Sequence, residues 1–204
     1  MTTKGRARKG GDAMPANTQD LLLKAAADLF YKKGYSGTSI REIGVKAGVS
    51  NSLLYHYFKN KEEILFQIIS IASQELLSSL RDIEARVGDP AERLREMLLH
   101  HMITHGLRNK KTTKIVVEEN YWLKGKRKAI VDEYQREIRA VYMKTLREMI
   151  AQNQMEDINL TVLGFSIFGM INWFFRWYKE NGELRPEDIG DTIVKFIFNG
   201  ISKK

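Results

Sequence analysis

There is no cysteine among the 204 residues of this chain. Disulfides and Cys-based zinc sites are therefore excluded, and a reducing cytoplasm is the expected setting. No apolar segment follows the basic residues Lys4, Arg6, Arg8 and Lys9, so no secretory signal is expected and residues 1–16 read as a disordered basic arm. No convincing pair of strands occurs. P-loop, dinucleotide fingerprint, nucleophile elbow and HExxH stretches are all missing, which leaves an enzymatic activity without support. The uncharged run from Leu160 to Phe175 is shorter than the roughly 20 apolar residues of a membrane span. It also holds Thr161, Gly164, Ser166, Gly169 and Asn172, so no membrane partner is expected.

What the chain does contain is helix punctuation and unevenly placed charge. Residues 1–61 carry eleven basic and four acidic side chains, +7 of the overall +8, and the rest is nearly neutral. Such asymmetry points to a polyanion partner for the first third. The hydrophobic fraction of 43% suits a folded core. Caps and 3.6-residue periodicity predict an all-α fold of about nine helices. Asn17 caps the first, which stops at Gly34. Ser39 and Glu42 form a capping box for a second over 39–47. Ser50 caps a third over 50–58, and Asn60 begins a long fourth helix to about 87. Asp89 with Pro90 starts a fifth to about 107. Further helices are expected over about 113–123, 126–153, 159–180 and 186–201.

The second and third helices flank a tight turn at Gly48, a helix-turn-helix layout in which the later helix is free to enter a major groove. In "GVSNSLLYHYFKNKEEIL", residues 48–65, Leu53, Leu54 and Phe58 suit a core. Asn51 and Ser52 stand where base edges are met, and Tyr55, His56 and Lys59 can bond phosphate oxygens. Thr38, Ser39 and Arg41 can do the same at the preceding helix start, and Ser50 joins them at the third. Ala47 and Gly48 would let the helices approach, with Val49 plugging the angle.

The stretch "LFYKKGYSGTSIREIGVKAGVSNSLLYHYFKNKEEIL" resembles the DNA-binding domain of TetR-family transcriptional regulators, over about residues 17–65. The resemblance implies a homodimer that binds a double-stranded DNA operator. It also implies a helix-turn-helix module over residues 17–60 joined to a ligand-binding and dimerisation domain over 61–204. It maps Asn51, Ser52, Tyr55 and His56 to the recognition helix and Lys59 to a phosphate contact. Position 52 often carries glycine in that family, so Ser52 departs from the pattern.

The C-terminal part is read from a helix that is apolar all round, which suits burial against its own core and across a dimer. Phe165, Ile167, Phe174 and Trp177 on that helix, with Ile193, Phe196 and Ile197 on the last, form the expected dimer face. Gly164 and Gly169 would allow close approach. Residues 160–201 also resemble the branch of the family that regulates fatty-acid and steroid degradation, several members of which respond to acyl-CoA thioesters. An effector pocket is then expected among Met97, His101, Met102, His105, Trp122, Met143, Phe168 and Trp173, with Met149 and Phe165 also available. Arg108, Lys110, Lys111, Lys124, Lys126, Arg127 and Lys128 are expected to meet nucleotide phosphates at its mouth. His101 and His105 have metal-ligand spacing, but no third ligand completes a set, so neither metal nor cofactor is expected. The function expected is a repressor released from a pseudo-palindromic operator by a small apolar effector. Two alternatives stay open: a sensor of drugs or other amphiphiles, and a non-specific basic DNA-binding protein.

Overall fold

The computed structural model describes residues 18–179 and 181–201. The basic arm over 1–16 and the Asn17 cap lie outside the described residues. The described chain is helical throughout: α1 (Thr18–Lys33), α2 (Ile40–Ala47), α3 (Asn51–Tyr57), α4 (Lys61–Arg86), α5 (Pro90–Leu99), α6 (Lys110–Glu119), α7 (Gly125–Ala151), α8 (Leu160–Trp177) and α9 (Pro186–Ile201). A π-helical segment, His100–Leu107, continues α5, and a 3-10 turn, Asn120–Trp122, ends α6.

The helix starts follow from side-chain chemistry. Ser39 accepts from the Glu42 amide, and the Glu42 carboxylate accepts in return from the Ser39 amide at 2.8 Å, a complete capping box. Ser50 accepts from the Leu53 amide and Asp89 from the Glu92 amide, with Pro90 in the first turn. At α4, Asn60 accepts from the Glu63 amide, but the Glu63 carboxylate reaches one residue further back, to the Lys59 amide at 2.8 Å. Gly48 adopts φ 70° as it closes α2, a conformation costly for any side chain with a Cβ. Close approach of α2 to α3 is the work of a different glycine. A Cβ at Gly44 would meet Leu54 Cδ1 at 3.3 Å, whereas one at Gly48 would meet nothing.

Two hydrophobic cores share α4. One gathers Leu22, Ala26, Phe30, Ile43, Leu54 and Phe58 onto Ile64, Leu65 and Ile69 of α4, and Ile115 of α6 and Val131 of α7 complete it. The other joins Leu76, Leu80 and Ile83 of α4 to α5, α7, α8 and α9 through Met97, Tyr142, Ile171, Phe174 and Ile197. Helix α7 also enters both, so any shift of α4 or α7 is felt in both cores.

Arg93 ties the α4–α5 turn to α7. Although 7% exposed, it bonds the Val87 and Gly88 carbonyl oxygens at 2.8 and 3.0 Å and pairs with the Glu148 carboxylate. Arg93→Ala strands two carbonyls and one carboxylate. We expect a loss of about 2–3 kcal/mol in urea unfolding. A loss under about 0.5 kcal/mol, typical of a surface site, would show that the turn needs no such anchor.

Candidate functional site

Helix α3 presents a continuous polar surface. Asn51, Ser52, Tyr55 and His56 are exposed, while Leu54 is 1% and Phe58 0% exposed beneath them. The His56 ring stands edge-on to Tyr57 at 5.5 Å. Ser50 spends an oxygen lone pair on its cap, which leaves the hydroxyl proton available for a phosphate. Lys59 and Arg41 are exposed as well.

Thr38 departs from expectation. It is 2% exposed and its hydroxyl donates to the Gly34 carbonyl oxygen at 2.9 Å, so it shapes the α1–α2 turn and cannot reach a phosphate. The start of α2 is also less receptive to anions than a bare helix end. The Glu42 carboxylate sits there, and Lys33 at 2.5 Å together with Ser39 holds its pKa down to about 2. Ser39 stays exposed on the same edge.

The helix-turn-helix module is pinned from behind. Lys61 donates to the carbonyl oxygens of Tyr35 and Thr38, both at 2.6 Å, and lies 4.2 Å from the Tyr35 ring centroid. Glu119, at the end of α6, accepts from the Tyr35 amide at 3.1 Å and from the Trp122 indole at 3.0 Å.

A cavity of about 380 Å³ opens between α4, the π-helical segment, α6, α7 and α8. Leu76, Val116, Ile138, Phe165, Phe168 and Phe175 supply apolar wall. His101, His105, Thr113, Asn120, Gln135, Arg139 and Asn172 supply polar groups, and no carboxylate among the described residues lines it. Burial, followed by the charge of neighbouring histidines, lowers the pKa of His101 to about 3 and that of His105 to about 4. Both rings are neutral near pH 7. Among the described residues no group of three His, Asp or Glu side chains is placed to hold a metal.

Of the pocket residues expected from sequence, His101, His105, Phe165 and Phe168 do line this cavity. The others are elsewhere. Met97 and Met102 are 0% exposed in the core, and Met149 is 1% exposed there. Trp122 stacks on Tyr35 at 5.4 Å, Met143 packs under Gly164, and Trp173 is 60% exposed. Phe165 lines the cavity as well as belonging to the expected dimer face.

The seven basic residues expected at the mouth line none of it. Arg108, Lys110 and Lys111 border a separate groove with Lys24, Asp28 and Tyr31. Arg127 faces Glu62 at 3.4 Å and Lys128 pairs with Asp132. Arg139, Gln135, Thr113, Asn120 and Asn172 had been missed. The one sequence signal for the first two is that Gln135 and Arg139 flank Ile138, a turn before the buried Tyr142.

The dimer face also divides. Ile167, Phe174 and Ile197 are 1%, 0% and 3% exposed inside the protomer's own core, so they cannot meet a partner, and Ile193 is half-buried. Gly164 is occupied too, since its missing Cβ is replaced by Met143 Cε. The exposed apolar side chains are Phe165, Trp177 and Phe196, joined by Val162 and Trp173. At 18 residues α8 meets the minimum length and hydropathy for crossing a membrane. Its outward stripe, however, is broken by Ser166, Asn172 and Arg176.

The described geometry can be set beside known proteins. The family described as "Bacterial regulatory proteins, tetR family" matches residues 22–68, and "Tetracyclin repressor-like, C-terminal domain" matches 87–201. The HTH-type transcriptional repressor KstR2 of Mycolicibacterium smegmatis is 24% identical over 201 residues, 94% of each chain. Among solved structures, PfmR from Thermus thermophilus, a TetR family transcriptional regulator, superposes with a TM-score of 0.82 at 26% identity, over 89% of this chain and 99% of that one. AibR in complex with isovaleryl coenzyme A and operator DNA gives 0.83 at 28% identity, over 89% and 98%.

Proposed function

This chain belongs to the TetR family of bacterial regulatory proteins, a non-enzymatic family, and from that premise we propose a homodimeric repressor whose hold on operator DNA is released by an acyl-thioester effector. It acts in the cytoplasm, where its DNA is. One observation carries the reading. The helices that wall the cavity, α4 and α6, also form the core and the rear supports of the DNA module. An occupant of the cavity therefore touches the elements that set the pose of α3.

The occupant is an apolar acyl group. About 380 Å³ accommodates roughly a dozen water-sized groups, enough for an acyl chain but not for a nucleotide. Among the described residues Arg139 is the charged one in the lining, and a lining with that cation and no carboxylate favours anionic or neutral ligands over hydrophobic cations. AibR at 28% identity, solved with isovaleryl coenzyme A, supports a thioester. In the dimer, α8 and α9 pair with their symmetry mates through Phe165, Trp177 and Phe196. The two α3 helices then face half-sites roughly 34–36 Å apart.

Thermal-shift screening of free acids, CoA thioesters and hydrophobic cations tests the effector class. Stabilisation by at least one thioester is expected, and silence from all of them contradicts it. Release requires the effector to favour one pose of α4 and α6 over the other. Structures with and without effector that keep the same separation of the α3 helices would remove this mechanism.

Glu119 is the specific link from α6 to the α1–α2 turn. We expect Glu119→Ala to bind thioester within about three-fold of the natural protein but to lose about ten-fold of its coupling to operator release. Undiminished coupling in an anisotropy titration would assign the transmission to α4 alone.

A further inference from the structure

Two neutral histidines stand in the wall of the cavity, which Ser73, Gln135, Arg139 and Asn172 also line. Tyr142 is fully buried, and its hydroxyl lies 3.0 Å from the Met97 carbonyl oxygen. A carbonyl cannot donate, so the one phenolic proton must lie between these two oxygens. His101 Nδ1 sits 3.3 Å from the same Tyr142 oxygen. With the phenolic proton committed to Met97, Nδ1 must carry the ring proton and donate it to Tyr142. Burial keeps the ring neutral, with a pKa of about 3, so it has only that one N–H. His101 Nε2 is consequently a bare lone pair.

No donor among the described residues meets it, and the ring, 9% exposed, faces the cavity. His105 lies four residues on in the same π-helical segment and lines the same space. It is 8% exposed, and neither of its ring nitrogens has a protein hydrogen bond among the described residues. The wall thus offers an unmet acceptor and, four residues on, a neutral imidazole that has one donor and one acceptor.

A hydrocarbon chain would leave that acceptor dry and unsatisfied, which is unfavourable. At His101 Nε2 a ketone would set lone pair against lone pair, and it could accept only from Gln135, Asn172 or Arg139 elsewhere in the lining. An ammonium group could donate, but it would share the cavity with Arg139 and find no carboxylate among the described residues. An alcohol both donates and accepts, which is what the histidine pair requires.

We propose that the cavity is selective for a hydroxylated acyl chain, whose hydroxyl donates to His101 Nε2 while its thioester end lies toward Arg139. The proposal rests on the acyl-thioester reading above and adds a specificity-determining residue to it. Arg139 and Tyr142 are three residues apart on α7, roughly 5 Å along the axis, so one chain can satisfy both ends.

The test is calorimetric titration of the full-length protein with hexanoyl-CoA, 3-hydroxyhexanoyl-CoA, 6-hydroxyhexanoyl-CoA and 3-oxohexanoyl-CoA. At least one hydroxylated ligand should bind about ten-fold tighter than hexanoyl-CoA, and the oxo ligand should show no such gain. His101→Phe should abolish that preference. If all four bind alike, the hydroxyl proposal is overturned and the thioester reading stands. If none binds, both fall. Long-range 15N correlation spectra of the natural protein give a readout that does not depend on the variant folding. They should show the His101 proton on Nδ1, and a proton on Nε2 would overturn the proposal by itself.

Discussion

Phe196→Glu should yield a folded monomer whose operator affinity is at least one hundred-fold weaker. Phe196 is 71% exposed on α9, so the protomer core does not depend on it. On α8 Phe165 at 66%, Trp173 at 60%, Val162 at 63% and Trp177 at 43% are exposed too. An apolar surface of this kind is normally covered, and in the proposed dimer a second copy covers it by placing stripe on stripe. A glutamate from each protomer would meet its equivalent near the two-fold axis in an apolar setting, where desolvation and repulsion act together. Two linked recognition helices bind the second half-site at high effective concentration, and separate ones do not, which supports a loss of about 10²–10⁴ in affinity. Sedimentation and anisotropy measured on the same sample check both parts. A dimer that persists with full affinity would place the interface elsewhere on the protein.

Stability should fall steeply between pH 6.5 and pH 5. The folded-state pKa values of His101 and His105, about 3 and about 4, lie below the 6.5 of a free histidine, and burial is the leading cause for each. Over this range the unfolded chain takes up protons that the folded one refuses. The stabilising contribution is therefore complete above pH 6.5 and is lost as the pH drops toward the folded values. At pH 5 the deficit is about 2 kcal/mol per ring, or about 4 kcal/mol for the two. His100 is shifted the same way by burial and then by Arg86. The carboxylates of Asp28, Asp89 and Asp188 are held below the usual 3.8 of an aspartate and that of Glu42 is held down to about 2 from 4.5, so their loss begins near and below those pH values and leaves the upper window to the histidines. Urea unfolding at pH 7.5 and pH 5.0 measures the difference. His101→Phe should roughly halve it, and a flat profile would mean that the rings are already charged or solvated in the folded protein.

Much of the DNA module was legible because its determinants are local. Ser39, Ser50, Asn60 and Asp89 cap helices by bonds spanning three residues, and these can be read directly from spacing. The exposure of Asn51, Ser52, Tyr55 and His56 above Leu54 and Phe58 follows from helical periodicity. Thr38 was misread because a threonine that shapes a turn and one that meets phosphate occupy the same position in sequence. Only the 2.9 Å bond to Gly34 separates them.

The cavity was less legible for a different reason. Methionine and aromatic residues have the same helical spacing whether they fill a core, as Met97 and Met102 do, or border a space, as Phe168 does. The π-helical turn that brings His101 and His105 to the wall breaks the 3.6-residue count and leaves no mark in that period. A Cβ at Gly106 would come within 2.3 Å of the Phe175 ring, a tertiary constraint absent from any local pattern. Likewise Ile167, Phe174 and Ile197 carry the same apolar signal as the exposed Phe165 and Phe196. Hydropathy gave the stripe, and only packing told its two sides apart.

The central claim is that an effector in the C-terminal cavity governs a sequence-specific grip on DNA. Footprinting of the DNA upstream of its own coding region, at physiological salt and with excess random competitor, tests it most directly when repeated with the thioesters found to bind. The expected result is two protected half-sites about one helical turn apart that vanish on addition of effector. Protection no stronger than on random DNA, or protection that persists with every bound thioester, would contradict it.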